Sequence, residues 1–205
     1  MAKLYFRYGA MNSGKTTNLL QVAHNYEERG MRVYLIKAKQ DTKGDCAVVS
    51  RLGIKRNVDL MLDEQTELVQ IVRKEHASHP IACILVDEAQ FLSREQCDAL
   101  FELVIDDNIP VICYGLRSDF RREAFSGSQR LMLLAHSIEE LKTVCACGRK
   151  AIFNARKING HYIFEGAQLA IDGVDRVEYE SLCGICYAKA LKLQSQLNSQ
   201  EPGES

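Results

Sequence analysis

The chain has 205 residues, 46% of them apolar, enough for one full hydrophobic core and a small appendage. Its 26 basic and 27 acidic residues nearly cancel, which argues against long non-specific tracking on nucleic acid. No apolar run reaches about 18 residues, so no membrane span is expected, and the opening Met-Ala-Lys-Leu-Tyr carries no secretory pattern.

In chain order, residues 4–8 form a short apolar run and read as a strand. Gly9, Ala10, Met11, Asn12, Ser13, Gly14, Lys15 and Thr16 then fit G-x-x-x-x-G-K-[ST] at every fixed position. After them Leu19, Val22, Ala23 and Tyr26 recur at i, i+3, i+4, i+7, the apolar face of a helix. Strand, glycine loop and helix are the context a phosphate-binding loop requires. Gly9 and Gly14 permit backbone angles that aim N–H groups at an anion. The helix N-terminus adds partial positive charge. Lys15 can reach terminal phosphates and the Thr16 hydroxyl can ligate Mg²⁺.

Gly30 closes the first helix, and residues 33–36 read as a buried strand. Residues 37–53 are polar and aperiodic, and read as a functional loop containing Asp41 and Arg51. Residues 64–75 read as a helix with Asp63 as its cap. Residues 81–86 are apolar on both faces, as in a central parallel strand, and end at Asp87 and Glu88. Ser93 and Gln96 form a capping box before another amphipathic helix, and residues 110–114 are the next strand. This alternation implies a parallel sheet with helices on both faces. Past residue 144 the character changes. Asn159-Gly160 sits between two β-like runs, the signal of a hairpin on a type I′ turn. The division expected is therefore 1–144, 145–193 and a disordered polar tail, 194–205.

Asp87 at a strand's carboxyl end suits Mg²⁺, directly or through water. Glu88, pointing to the other side of that strand end, suits a base for an attacking hydroxyl or water. Of the eight cysteines, Cys145, Cys147, Cys183 and Cys186 form two close pairs, the ligand set of a tetrahedral structural Zn²⁺ site. Disulfides are the alternative, and a phosphate loop in a chain without a signal favours the reducing cytoplasm. Cys83, Cys97 and Cys113 read as buried core thiols, with Cys46 unassigned. A metal held by the four cysteines would be remote from the chemistry. It would anchor both ends of the loop 149–182, so its loss would disturb that loop more than the phosphate-binding part of the chain. Phe91, Leu116, Phe120, Phe125 and Tyr179 either wall an apolar slot near the phosphates or belong to the core.

The phosphate loop, Asp-Glu-x-Gln-Phe at 87–91, Tyr-Gly-Leu-Arg-x-Asp-Phe at 114–120 and the four-cysteine ribbon, in this order, resemble cytosolic thymidine kinases of the zinc-containing type. The resemblance runs from about Lys3 to Lys192. It implies a RecA-like α/β domain with a P-loop and a small C-terminal zinc-ribbon β domain carrying a lasso loop over the nucleoside. It implies transfer of the ATP γ-phosphate to the 5′-hydroxyl of thymidine with Mg²⁺, Glu88 being the base. Residues 9–16 with Asp87, Glu88, Ala89 and Gln90 would bind ATP, and Thr16 and Asp87 would serve Mg²⁺. The five apolar residues above would bind thymidine. A homotetramer inhibited by thymidine triphosphate is implied too. The lasso tyrosine aligns with Tyr179 by its distance to Cys183, or with Val177. Asp172-Gly173 stands where a double glycine is common. Two other classes fit parts of the pattern. Asp87-Glu88-Ala89-Gln90 resembles a helicase box, although the chain has room for one RecA-like domain only. A zinc-ribbon interaction module would not need Lys15, Thr16, Asp87 and Glu88 intact.

Overall fold

The computed structural model describes residues 1–38, 47–51, 53–63, 65–168 and 176–198. Asp41, Cys46, Asp172 and Gly173 lie outside these. The chain divides into two compact units. The first comprises Met1–Gly9, Gly14–Arg117 and Ala124–Leu141. The second comprises Ala10–Ser13, Ser118–Glu123 and the described residues from Lys142 onward.

The first unit runs β1 (Leu4–Tyr8), α1 (Lys15–Glu27), β2 (Val33–Ala38), β3 (Ala47–Val49), β4 (Lys55–Asn57), β5 (Leu60–Leu62), α2 (Leu68–Ser78) and β6 (Cys83–Asp87). A 3-10 turn (Ala89–Phe91), α3 (Arg94–Ile105), β7 (Val111–Gly115), α4 (Ser126–Leu134) and β8 (Ser137–Glu140) follow. Six strands form one sheet in the order β5-β2-β6-β7-β1-β8, with every pairing parallel. The sheet is α/β as its alternation implies. Pleating divides the strand residues between two cores. Ile84 and Val86 of β6 join Leu68, Val72, Leu100, Leu103 and Leu131 of α2, α3 and α4. Cys83 and Leu85 face the other way, onto Leu19, Leu20 and Ala23 of α1. Both faces are thus covered, and continuous apolar runs are what such strands need. Strand β7 lies between β1, which leads into the glycine loop, and β6, which ends at Asp87.

Three local expectations change. Helix α2 starts at Leu68 rather than at residue 64. The Asp63 carboxylate instead accepts from the Gln65 N–H (3.2 Å) and the Thr66 hydroxyl (2.6 Å), closing a turn ahead of the helix. In the polar stretch 37–53, residues Ala47–Val49 form β3, which pairs antiparallel with β4 just beyond it, and neither has the alternation that marks a strand in sequence. Helix α4 and the edge strand β8 were not foreseen. The Ser93–Gln96 capping box forms with both of its bonds. Gly30 takes a left-handed φ of 70° after α1.

In the second unit, β9 (Thr143–Val144) pairs with β10 (Lys150–Ala151), and β11 (Phe153–Ile158) is flanked by β12 (His161–Ile163) and β13 (Val177–Leu182). Asn159 (φ 50°) and Gly160 (φ 85°) make the β11–β12 turn, both left-handed as a type I′ turn demands. Phe164 and Tyr187 meet edge to face at 4.9 Å in a core with Ala155, Leu182 and Ala190. Helix α5 (Gly184–Asn198) continues past Gln194, where the tail was expected to begin.

Candidate active site and four-cysteine cluster

Glycine loop and α1 meet at Gly14, whose φ of 77° and ψ of 18° are left-handed and favour glycine. Asn12, at φ 64°, is a second left-handed position in the loop. Lys15 Nζ donates to the Gly9 carbonyl at 3.3 Å, so the ammonium curls back over the loop. Burial lowers the Lys15 pKa, while the negative charges of Glu88 and Asp87 oppose that shift and Arg51 adds to it. Lys15, Asp87, Glu88 and Arg51 are therefore within electrostatic reach of one another. Behind the loop, Arg7 donates to Tyr114 Oη (2.9 Å) and Asn18 Oδ1 (3.1 Å), tying the first turn of α1 to the sheet. Nothing in the sequence pattern marked Arg7, a charge in an apolar strand.

Asp87 closes β6 and is buried, 5% exposed. Burial, with Glu88 next, pushes its carboxyl pKa up to about 7; the Glu88 N–H, Lys37 and Lys15 pull the other way. A buried carboxyl facing lysines on a strand end is a donor that a hard divalent cation fits. Glu88 follows with φ 52°, a left-handed conformation unusual for a side chain this long. It turns the chain sharply off the strand and leaves the Glu88 side chain half-buried. Ala89 and Gln90 are buried. Gln90 Nε2 donates to Glu88 Oε2 at 2.6 Å, and Gln90 Oε1 accepts from the Leu116 N–H at 3.1 Å. Both ends of the amide are used, so its orientation is set. Phe91 meets Phe125 edge to face at 5.4 Å. Ser128 Oγ donates to the Leu116 carbonyl at 2.5 Å. Phe91, Leu116 and Phe125 belong to the first unit, and Phe120 and Tyr179 to the second.

In the second unit, Asp119 is the hub of a tight turn. Its Oδ1 accepts from the N–H groups of Arg121 (2.9 Å) and Glu123 (2.8 Å), and its Oδ2 pairs with Arg121 at 2.9 Å. The buried Arg156 stacks on the Phe120 ring, 3.8 Å to the centroid, and donates to the carbonyls of Glu165 (2.8 Å) and Ala167 (2.9 Å). Arg156 faces Tyr179 across the β11–β13 pair. Phe120 is thus held by a cation that no sequence motif announced.

The ligand atoms of Cys145, Cys147, Cys183 and Cys186 all lie within 4.8 Å of one another. Cys147 and Cys183 sulfurs are 3.6 Å apart, close to the ~3.8 Å edge of a tetrahedron with Zn–S of about 2.3 Å. The Arg149 N–H, then the Cys186 and Cys183 thiols, bring Cys147 down to about 6, while Cys186, hydrogen-bonded to Cys147, is pushed up to about 12. Four thiolates cannot share this volume without a cation, so the donor set fits a structural zinc ion. The cysteines of the described residues are free thiols. Cys83, Cys97 and Cys113 are fully buried, as expected of core thiols, and burial raises all three.

The sequence model described as "Thymidine kinase" matches residues 2–187. A thymidine kinase of Xanthomonas campestris pv. campestris (strain 8004) is 50% identical over 179 residues, 86% of this chain and 85% of that protein. One from Idiomarina loihiensis is 47% identical over 196 residues, covering 95% and 100% of the two chains. One from Escherichia coli (strain K12) is 45% identical over 203 residues, 98% of each. Together with the parallel sheet, the glycine loop, the Asp87-Glu88 strand end and the cysteine cluster, these likenesses place the chain: it belongs to the thymidine kinase family.

Proposed function

We propose that the protein transfers the γ-phosphoryl group of ATP to the 5′-hydroxyl of thymidine, giving thymidine monophosphate and ADP in deoxynucleotide salvage. The observation that carries this reading is the strand end where Glu88, held by Gln90, stands beside Asp87 and within electrostatic reach of Lys15. Glu88 takes the proton of the 5′-hydroxyl as that oxygen attacks the γ-phosphorus and ADP departs. Lys15 and the backbone of residues 9–16 hold the phosphates. Thr16 and Asp87 would hold Mg²⁺, which neutralises developing charge on the phosphates when bound. By the family resemblance, Phe91, Leu116, Phe120, Phe125 and Tyr179 would bind the nucleoside. The buried Ala89 and Gln90 act by shaping the turn, whatever backbone contact they make with ATP.

The kinase part is residues 1–144 and the zinc-holding part 145–193, with Zn²⁺ on the four cysteines. Among the described residues no helix is long and apolar enough to cross a membrane, and a cytoplasmic enzyme fits the reduced cysteines. A homotetramer inhibited by thymidine triphosphate, with no nucleic-acid partner, completes the reading. A nucleoside panel with ATP and Mg²⁺, read as phosphorylated product, tests it. Thymidine should be phosphorylated in preference to ribonucleosides. ATP hydrolysis stimulated by DNA or RNA without nucleotide product would overturn it.

A further inference from the structure

The tip of the glycine loop, Ala10–Ser13, clusters with the ribbon unit rather than with the sheet that carries the rest of the loop. The hydrogen bonds show how. Met11 N–H donates to Asn154 Oδ1 at 2.8 Å. Ser181 Oγ donates to the Met11 carbonyl. Thr143 Oγ1 donates to the Asn12 carbonyl at 3.3 Å. Asn154 uses its other end too, Nδ2 donating to the Ser118 carbonyl at 3.2 Å, so its amide cannot turn over without losing both bonds. Asn154 and Ser181 are directly opposed in the β11–β13 register, and both are nearly fully buried. Two short polar side chains in one cross-strand pair thus grip both polar groups of one peptide-linked residue, Met11.

This grip matters chemically. A loop that binds an anion must turn N–H groups toward it and carbonyl oxygens away. Here the Met11 and Asn12 carbonyls are drawn to ribbon hydroxyls, and the Met11 N–H is committed to Asn154. Asn12, which is not a glycine, then holds a left-handed φ of 64°. Such a conformation persists only when neighbours over-determine it.

We propose that Asn154 and Ser181 are positioning residues for ATP: they fix the tip of the phosphate-binding loop in its anion-receiving conformation, so the ribbon contributes to nucleotide affinity. This rests on reading residues 9–16 as the ATP site. The pair bonds the backbone of the loop tip, so the effect is expected on ATP rather than on thymidine.

The test is calorimetric ATP binding with no nucleoside present, plus steady-state kinetics for both substrates, on full-length zinc-loaded protein. Asn154→Ala leaves the part-buried Met11 N–H and the Ser118 carbonyl without these partners and should weaken ATP binding by about 10-fold or more. The KM for thymidine should stay within about twofold. Ser181→Ala should weaken ATP by about 3- to 10-fold, and Ser181→Thr, which restores a hydroxyl, should recover most of it. Tyr162→Phe removes a bond to Glu180 in the same small sheet without touching the loop, and should leave ATP binding unchanged. Should Asn154→Ala fail to fold, the Ser181 pair carries the test. Wild-type ATP affinity in both Asn154→Ala and Ser181→Ala, or equal losses for ATP and thymidine, would overturn the proposal. A wild-type protein that binds no ATP would overturn the ATP-site reading itself, a distinct outcome.

Discussion

Gln90 Nε2 donates to Glu88 Oε2 at 2.6 Å while its own Oε1 accepts from the Leu116 N–H. The residue two positions on from the proposed base therefore aims it, and is itself aimed by the end of β7. Glu88→Gln is nearly isosteric and cannot take a proton. It should bind ATP within a few-fold of wild type and turn over about 10²–10⁴ times more slowly. Gln90→Leu keeps the carboxylate and removes its anchor, and should lower kcat by roughly 10-fold with little change in the ATP KM. Stopped turnover and ATP titration on both variants check this; wild-type kcat in Glu88→Gln would show that another group takes the proton.

Gly127 is placed where a side chain cannot go. A β-carbon there would lie 2.4 Å from the Ala89 carbonyl oxygen and 2.8 Å from that of Leu92. Gly→Ala in a helix ordinarily stabilises by up to about 1 kcal/mol. Here Gly127→Ala should instead destabilise by about 1–3 kcal/mol, because backbone must move. The turn that moves carries Glu88 and Gln90, so kcat should fall as well. Gly184→Ala is the control: its nearest neighbour is Phe153 Cε2 at an ordinary 3.7 Å. Chemical denaturation of the two variants should give opposite signs, and equal stability would show that the α4 contact is slack.

Asp87 gives a pH signature in Mg²⁺-free buffer. Its carboxyl is raised from an ordinary value of 3.8 to about 7 by burial and then by Glu88, against the Glu88 N–H, Lys37 and Lys15. A raised folded-state pKa means that the folded protein binds the proton more tightly than the unfolded chain does. Its contribution is fully present below about pH 4 and is lost as pH rises through about 7. Asp87→Asn stays neutral throughout. The melting temperature of Asp87→Asn relative to wild type should therefore be higher at pH 8 than at pH 5. Added Mg²⁺ should raise wild type at pH 8 and leave the variant alone. A difference that does not vary with pH would count against a protonated, buried Asp87.

The parallel sheet was legible because its strands carry their burial in composition: β2, β6 and β7 are apolar on both faces, and the helices between them are periodic. The glycine loop, the Asp87-Glu88 strand end and the cysteine cluster were legible as local structure because the chemistry proposed for them would need fixed residue types at fixed spacing. What sequence could not give are contacts made by ordinary polar residues at long range. Asn154, Ser181 and Arg156 lie in no periodic or motif position, the motif that holds Gln90 does not name its Leu116 partner, and Met11 is 143 residues from Asn154. Strands β3 and β4 were missed because short, partly exposed strands lack alternation. The start of α2 was misplaced because Asp63 can cap a helix or close a turn, and the same side chain serves either.

Strand β13 runs into the four-cysteine cluster at Cys183 and bonds the tip of the glycine loop through Ser181. Ser181, which donates to the Met11 carbonyl, is two residues before Cys183, whose sulfur lies 3.6 Å from that of Cys147. Read from sequence, a zinc ion there would anchor the long loop, and its loss would weaken ATP binding less than it weakens nucleoside use. The Ser181 bond argues for a different outcome. Zinc on the four cysteines would hold the end of β13, and Ser181 of β13 bonds the loop tip, so releasing the metal should loosen both. Purified protein should carry a single zinc per chain by elemental analysis. Cys183→Ser should lose that zinc and lower thermal stability. It should also weaken ATP binding about as much as Ser181→Ala does, in addition to weakening use of thymidine. Amide exchange should speed up through 177–182 and at residues 10–13 together, while strands β2 and β6 stay protected, since local opening spreads along connected segments. Zinc-free Cys183→Ser that binds ATP like wild type, with slow exchange still at 10–13, would show that the loop tip keeps its shape without the metal.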